Sequence, residues 1–234
     1  MSENEAVRDP DAAAQRIIER HANRNFILNV LDGSTFYLGI SMVSRYTVLP
    51  LLVERLSGER WMQGLIPTIY YSGWLLPSLI VAPLLASRPR RLPFLLTVTI
   101  FERLPYLFLG LLLLLAPDAP PSVLLAAFLV LFTVNSFGGG ASGVPWQDYI
   151  SSVIPPRRWG VFFGLQAGLG GALGVGGAAL ATMVLDQQPF PQSIGILSLA
   201  CFACMVVAYI FLALTVEPAM RPQPAQSVAM FVRS

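Results

Sequence analysis

Residues 148–177 read DYISSVIPPRRWGVFFGLQAGLGGALGVGG, and the interpretation of the whole chain turns on this stretch. A hydrophobic run ends at Pro155-Pro156, Arg157 and Arg158 stand side by side, and apolar residues then resume. Gly164, Gly168, Gly171, Gly174 and Gly177, three or four residues apart, make a groove without side chains in which another backbone can settle. In water so many glycines would argue against a helix, since each costs about 1 kcal/mol relative to alanine. In hydrocarbon a non-helical backbone leaves its polar groups unsatisfied, so the helix persists. The stretch reads as an arginine-bearing turn followed by a glycine-grooved membrane helix.

Composition points the same way. Of 234 residues, 55% are hydrophobic and 12% charged, with a mean hydropathy of +0.64. An ordinary soluble domain has about a quarter of its residues charged. The net charge is +2, and the lysine-free chain carries its positive charge on arginines that lie mostly in short clusters outside the apolar runs. No basic face of the kind that binds nucleic acid is visible. The first 25 residues are polar and lack the apolar segment of a cleavable signal. Cys201 and Cys204 form CFAC inside an apolar run. Metal or redox chemistry would need polar surroundings and further ligands, so both read as small packing residues. No metal or cofactor is expected. The chain reads as an integral membrane protein whose first partner is the lipid bilayer.

Six apolar runs cover residues 26–51, 63–86, 92–116, 122–146, 159–185 and 193–216. Each reaches the ~20 residues that cross ~30 Å of hydrocarbon as a helix. Before them, residues 11–24 (DAAAQRIIERHANR) predict a short amphipathic helix in a cytosolic segment, residues 1–25, with His21 on its solvated surface. The connections alternate in charge. Arg88, Arg90 and Arg91 follow the second run and Arg157 and Arg158 the fourth, while the third and fifth are followed only by Asp118 and Asp186. Arg8, Arg16, Arg20 and Arg24 precede the first run. By the positive-inside rule both termini lie on the cytoplasmic side of the cytoplasmic membrane.

Three helices and then three more, with arginine-rich turns after the second and fourth, resembles one half of a major facilitator superfamily transporter. The resemblance covers about residues 25–216 and implies an all-α membrane fold of six helices in two inverted three-helix repeats. It also implies a second six-helix half, with a small-molecule substrate bound between the halves near the membrane centre. Residues 217–234, with Pro218, Pro222 and Pro224, resemble the start of the cytosolic linker between halves, so the chain is expected to be the first half of a longer protein. The family's turn between helices two and three is roughly Gly-x-x-x-Asp-Arg-x-Gly-Arg-Arg. Residues 82–91 here read APLLASRPRR, in which only Arg90 and Arg91 match. The resemblance offers Asp148, at the end of helix four, as the acidic partner of these arginines, with Arg158 in the matching turn. The Gly-Pro-x-x-Gly-Gly pattern of the family's proton–drug antiporters is absent from helix five.

A charge in mid-membrane costs about 2.5–3.5 kcal/mol on insertion scales and calls for a reason. Helix one carries Asn29, Asp32 and Arg45, and helix three the adjacent Glu102 and Arg103. Arg45, about 28 Å along helix one, is expected to snorkel to the outer headgroups. Asp32 and Arg103 sit at depths within ~7 Å of each other and are expected to pair, because Glu102 points ~100° away from Arg103 on the helix. By resemblance, in which helices one and four line the cavity, Asn29, Asp32, Asn135 and Trp146 are the residues expected there.

Two other functions compete with this reading. Gly140-Ala141-Ser142-Gly143 resembles the serine motif of rhomboid intramembrane proteases, yet the sole histidine, His21, is far from Ser142, and a serine nucleophile needs a base. No enzymatic activity is therefore expected. A half-size unit or scaffold that dimerises to complete a pore is the remaining alternative to the transporter half.

Overall fold

The computed structural model describes residues 10–86 and 88–219, and these are helical apart from turns. Residues 220–234, most of the expected linker, lie outside the described residues. Seven α-helices follow in order: α1 Pro10–Met42, α2 Val48–Ser57, α3 Leu65–Ala86, α4 Leu92–Leu115, α5 Pro121–Val153, α6 Trp159–Gln187 and α7 Gln192–Ala213. Single 3₁₀ turns, Arg60–Gly64 and Pro156–Arg158, lead into α3 and α6.

Among the described residues five segments are long and apolar enough to cross a membrane: Arg60–Ala82, Leu92–Leu115, Pro121–Val153, Pro156–Gln187 and Gln192–Ala213. The helix α1 is as long as the longest of them, at 33 residues, but is not among them. Its apolar stretch is interrupted by Asn25, Asn29, Asp32, Ser34 and Thr35.

At the first apolar run the helix boundaries depart from the sequence reading. No proline or glycine separates residues 11–24 from that run, and one helix spans both. The same helix stops at Met42 rather than continuing to residue 51. The Ser44 carbonyl accepts hydrogen bonds from the N–H of Thr47, Val48 and Leu49, which turns the chain into α2. This short helix buries Val48, Leu49, Leu52, Val53 and Leu56. It ends at Gly58, whose φ of 72° is the left-handed conformation that closes many helices.

Neighbouring helices form a series: α3 lies against α5, α5 against α4, α4 against α7, α7 against α1, and α1 against α6. The outermost members, α3 and α6, expose long apolar faces, including Leu75, Leu76, Leu79 and Ile80 on one and Val161, Leu165, Leu169 and Val175 on the other. Close approach is bought with small residues. Gly138 of α5 faces the α4 backbone at Phe101 and Glu102, and Gly140 faces the α3 backbone at Gly73 and Trp74. Gly39 of α1 meets Cys201 and Cys204 of α7, both free thiols, which act there as the small packing residues the sequence suggests.

Two apolar layers hold the bundle together. One gathers Leu52, Leu113, Phe128 and Met205 with their neighbours, and the other Val30, Leu95, Tyr149, Val153 and Phe162. The buried polar side chains Asp32, Arg103, Asn135, Ser136, Ser142 and Gln166 belong to neither layer.

Candidate functional site

These polar groups line a cavity of about 560 Å³ between α1 and α5. It extends from Leu95 and Leu212 to Arg45 and Tyr46 in the turn after α1. Its charged residues are Asp32, Arg45, Glu102 and Arg103, and its aromatic walls include Tyr37, Tyr70, Trp74, Tyr106 and Trp146. A volume of this size falls within the ~300–1,000 Å³ typical of small-molecule sites.

On α4, Glu102 and Arg103 divide between two neighbours. Glu102 turns to α5, where the Ser142 hydroxyl donates to its Oε2 at 3.2 Å and the Asn135 amide donates to its backbone carbonyl at 2.6 Å. Arg103 turns to α7 and donates from Nε to the Met205 carbonyl at 3.2 Å, with Nη1 donating to Thr99 O at 3.0 Å. Its guanidinium also lies 5.4 Å from the Tyr209 ring centre. The two long side chains still converge, with Arg103 Nη1 3.9 Å from Glu102 Oε2.

This corrects the expected partnership. Among the described residues no ion pair joins Asp32 to Arg103; the arginine pairs with its own neighbour, because both side chains bend back into the same cavity. Asp32 is buried in the wall of the same cavity as Trp146, Arg103 and Glu102.

Three of the four expected cavity residues, Asp32, Asn135 and Trp146, line the cavity. Asn29 is fully buried outside it. Its amide donates to Asn25 O at 2.8 Å and to the Tyr149 hydroxyl at 3.3 Å, and Tyr149 in turn donates to Thr215 Oγ1 at 2.6 Å. Arg45 is not in a helix, because α1 has already ended; its guanidinium stacks 3.8 Å from the Tyr70 ring centre at one end of the cavity. Gln166, which the sequence reading passed over, lines the cavity from α6 and donates to Asn29 O at 3.3 Å. A polar residue among the glycines of residues 164–171 was the available signal.

The arginine-rich turns meet at one end of the bundle. Arg91 donates from Nε to Asp148 Oδ2 at 2.8 Å, the pairing suggested for the turn arginines. Arg90 is exposed, and Arg158 donates to Asn23 Oδ1 at 2.6 Å. Glu217, just past α7, accepts the backbone N–H of Arg91 and of Leu92 at 2.7 and 2.8 Å, which caps the start of α4 with a carboxylate. Burial pushes its carboxyl up from the usual range, while those two N–H groups and the nearby Arg91 and Arg90 oppose the shift. Asn25 closes the same end by exchanging two hydrogen bonds with the backbone of Val216.

The glycine groove divides. Gly164, Gly168 and Gly171 face open space, Gly174 grazes Ser41, and Gly177 packs on Leu38 and Ser41 of α1 together with Gly170 on Tyr37. At 100° per residue Gly177 stands about 140° around the helix from Gly164, so the two cannot share a face.

Comparison with known proteins adds no relative: no family model, curated protein or solved structure matches the chain. Fold and site together define a multi-pass, all-helical membrane protein with a charged cavity inside the bundle.

Proposed function

We propose that this chain is one six-helix half of a secondary transporter of the major facilitator type, moving a small solute across the cytoplasmic membrane by alternating access. The observation that carries the reading is the cavity: charged and aromatic, set inside a bundle of membrane helices, and lined on its flanks by α3 and α6. A charge placed there costs several kcal/mol unless it has a role or a partner, and such residues in membrane proteins mark solute and proton paths.

Two further observations support it. Exchanging α1, α3 and α4 for α5, α6 and α7 turns the α1–α6 contact into α5–α3 and the α1–α7 contact into α5–α4, and returns α4–α7 to itself. That invariance is what two inverted three-helix repeats produce. In this reading α1 is the sixth span. Its polar Asn25, Asn29, Asp32 and Ser34 are buried toward the bundle, whereas Ile27 and Leu31 are exposed, as a lipid-facing side requires.

In this mechanism the solute enters between α1 and α5 and contacts Asp32, Asn135, Trp146 and Gln166. A second six-helix unit covers the apolar faces of α3 and α6, with the open glycines Gly164, Gly168 and Gly171 as the surface over which it rocks. The Arg91–Asp148 bridge and the Glu217 cap hold the arginine-rich, cytoplasmic end together until rocking separates it.

Orientation is tested by single cysteines at the exposed Asp118 and Arg90 positions, in a chain carrying Cys201→Ser and Cys204→Ser. The cysteine at 118 is expected to react with an impermeant maleimide in intact cells and that at 90 only after lysis. The opposite pattern reverses the topology.

The half-transporter reading is tested by reconstituting the purified 234-residue chain in liposomes. No saturable uptake is expected from the monomer, since one flank of the cavity has no cover. Saturable uptake by a demonstrated monomer would sink the reading, and uptake that appears only with a dimer would support the dimerising half-size unit.

A further inference from the structure

The charges around the cavity do not balance at its centre. Arg103 is held by Glu102, Thr99 O and Met205 O, and Glu102 is held by Arg103 and Ser142. Asp32 is the remaining anion. Among the described residues no ion pair engages it. The other lining cation, Arg45, lies beyond the end of α1, in the turn after Met42, and stacks on Tyr70. Aromatic rings share the cavity with Asp32: Phe36 and Tyr37 follow it on α1, Trp74 comes from α3 and Trp146 from α5.

We infer that the cavity binds a monovalent organic cation, with Asp32 as its counter-ion and the surrounding rings as its cage. The inference rests on the reading of this cavity as a solute site. Aromatic faces attract a desolvated cation through the ring quadrupole, and a buried carboxylate outside any ion-pair contact supplies the charge. An anionic solute beside Asp32 would meet that carboxylate and an Arg103 already engaged by Glu102, Thr99 O and Met205 O, with the other lining cation, Arg45, stacked on Tyr70 beyond the end of α1. A bare metal ion is also a poor match. It needs a shell of oxygen ligands at short range, and among the described residues no three His, Cys, Asp or Glu side chains gather to hold one.

Tetraphenylphosphonium and tetraphenylborate are nearly the same size and shape but carry opposite charge, which separates charge recognition from greasiness. Binding of each to the 234-residue chain in nanodiscs is read by quenching of the cavity tryptophans, with neutral triphenylphosphine oxide as a third probe. Tetraphenylphosphonium is expected to bind at least tenfold more tightly than tetraphenylborate. Asp32→Asn, nearly isosteric, should abolish that preference, and Asp32→Glu should restore most of it. Equal affinity for the two ions in the unmodified chain, or a preference that survives Asp32→Asn, overturns the cation assignment. If triphenylphosphine oxide then still competes for the site, the cavity stands as a solute site of another class. If no probe quenches, both the cation assignment and the solute-site reading fall.

Discussion

A single methyl group added at Gly140 is expected to cost the bundle more than about 3 kcal/mol, the upper end of what overpacking a core usually costs. A Cβ there would run into the Gly73 carbonyl and lie 2.7 Å from the Trp74 carbonyl oxygen. At Gly138 it would lie 2.6 Å from the Glu102 nitrogen. These are backbone atoms of α3 and α4, so relief requires moving a helix rather than a side chain. Alanine favours the helix by about 1 kcal/mol over glycine, too little to offset the clash. The internal control is Gly164→Ala or Gly168→Ala, where nothing lies within 4 Å. Both controls are expected to be neutral or mildly stabilising in the isolated chain. Unfolding in mixed micelles with increasing sodium dodecyl sulfate measures the difference, and a Gly140→Ala variant as stable as Gly164→Ala would refute the close approach.

That comparison also shows where sequence reasoning reached and where it stopped. Hydropathy and arginine clusters give the later helices to within about three residues, except that α5 runs on to Val153, seven past the apolar run 122–146, because a lipid-facing helix must be apolar for its whole length and its turns must be polar. The first helix was harder for the same reason. Asn29 and Asp32 face inward, which lowers the local hydropathy, and the break at residues 43–47 carries neither glycine nor proline. The glycines of α6 looked like one groove because their spacing of three or four was read without following the accumulated rotation. Only the helix path places Gly170 and Gly177 on α1 and leaves Gly164 and Gly168 open. The cavity was partly legible, since polar residues in a membrane run announce themselves one at a time. Their partners did not: Asn29 belongs to a buried chain with Tyr149 and Thr215, which are 120 and 66 residues apart from their respective acceptors or donors in sequence.

Arg103→Gln is expected to destabilise the protein by about 3–5 kcal/mol, the usual cost of removing one member of a buried ion pair. It would leave the Glu102 and Asp32 carboxylates facing each other in a cavity with no nearby cation, and would remove donors from the Met205 and Thr99 carbonyls. Glu102→Gln should cost less, because Arg103 keeps those two carbonyls and then faces Asp32 alone. The double substitution Glu102→Gln with Arg103→Gln should recover part of the loss, with a coupling energy in the ~0.5–3 kcal/mol range of interacting neighbours. The matching cycle between Asp32 and Arg103 should give a smaller coupling, since that interaction acts across the cavity and not through a contact. Both cycles are measured by the same micellar unfolding. A larger coupling for Asp32 with Arg103 than for Glu102 with Arg103 would return the pair to the helices that sequence depth alone suggested. It would also leave Glu102 as the unpaired carboxylate, and the counter-ion for a bound cation would then lie on α4 rather than α1.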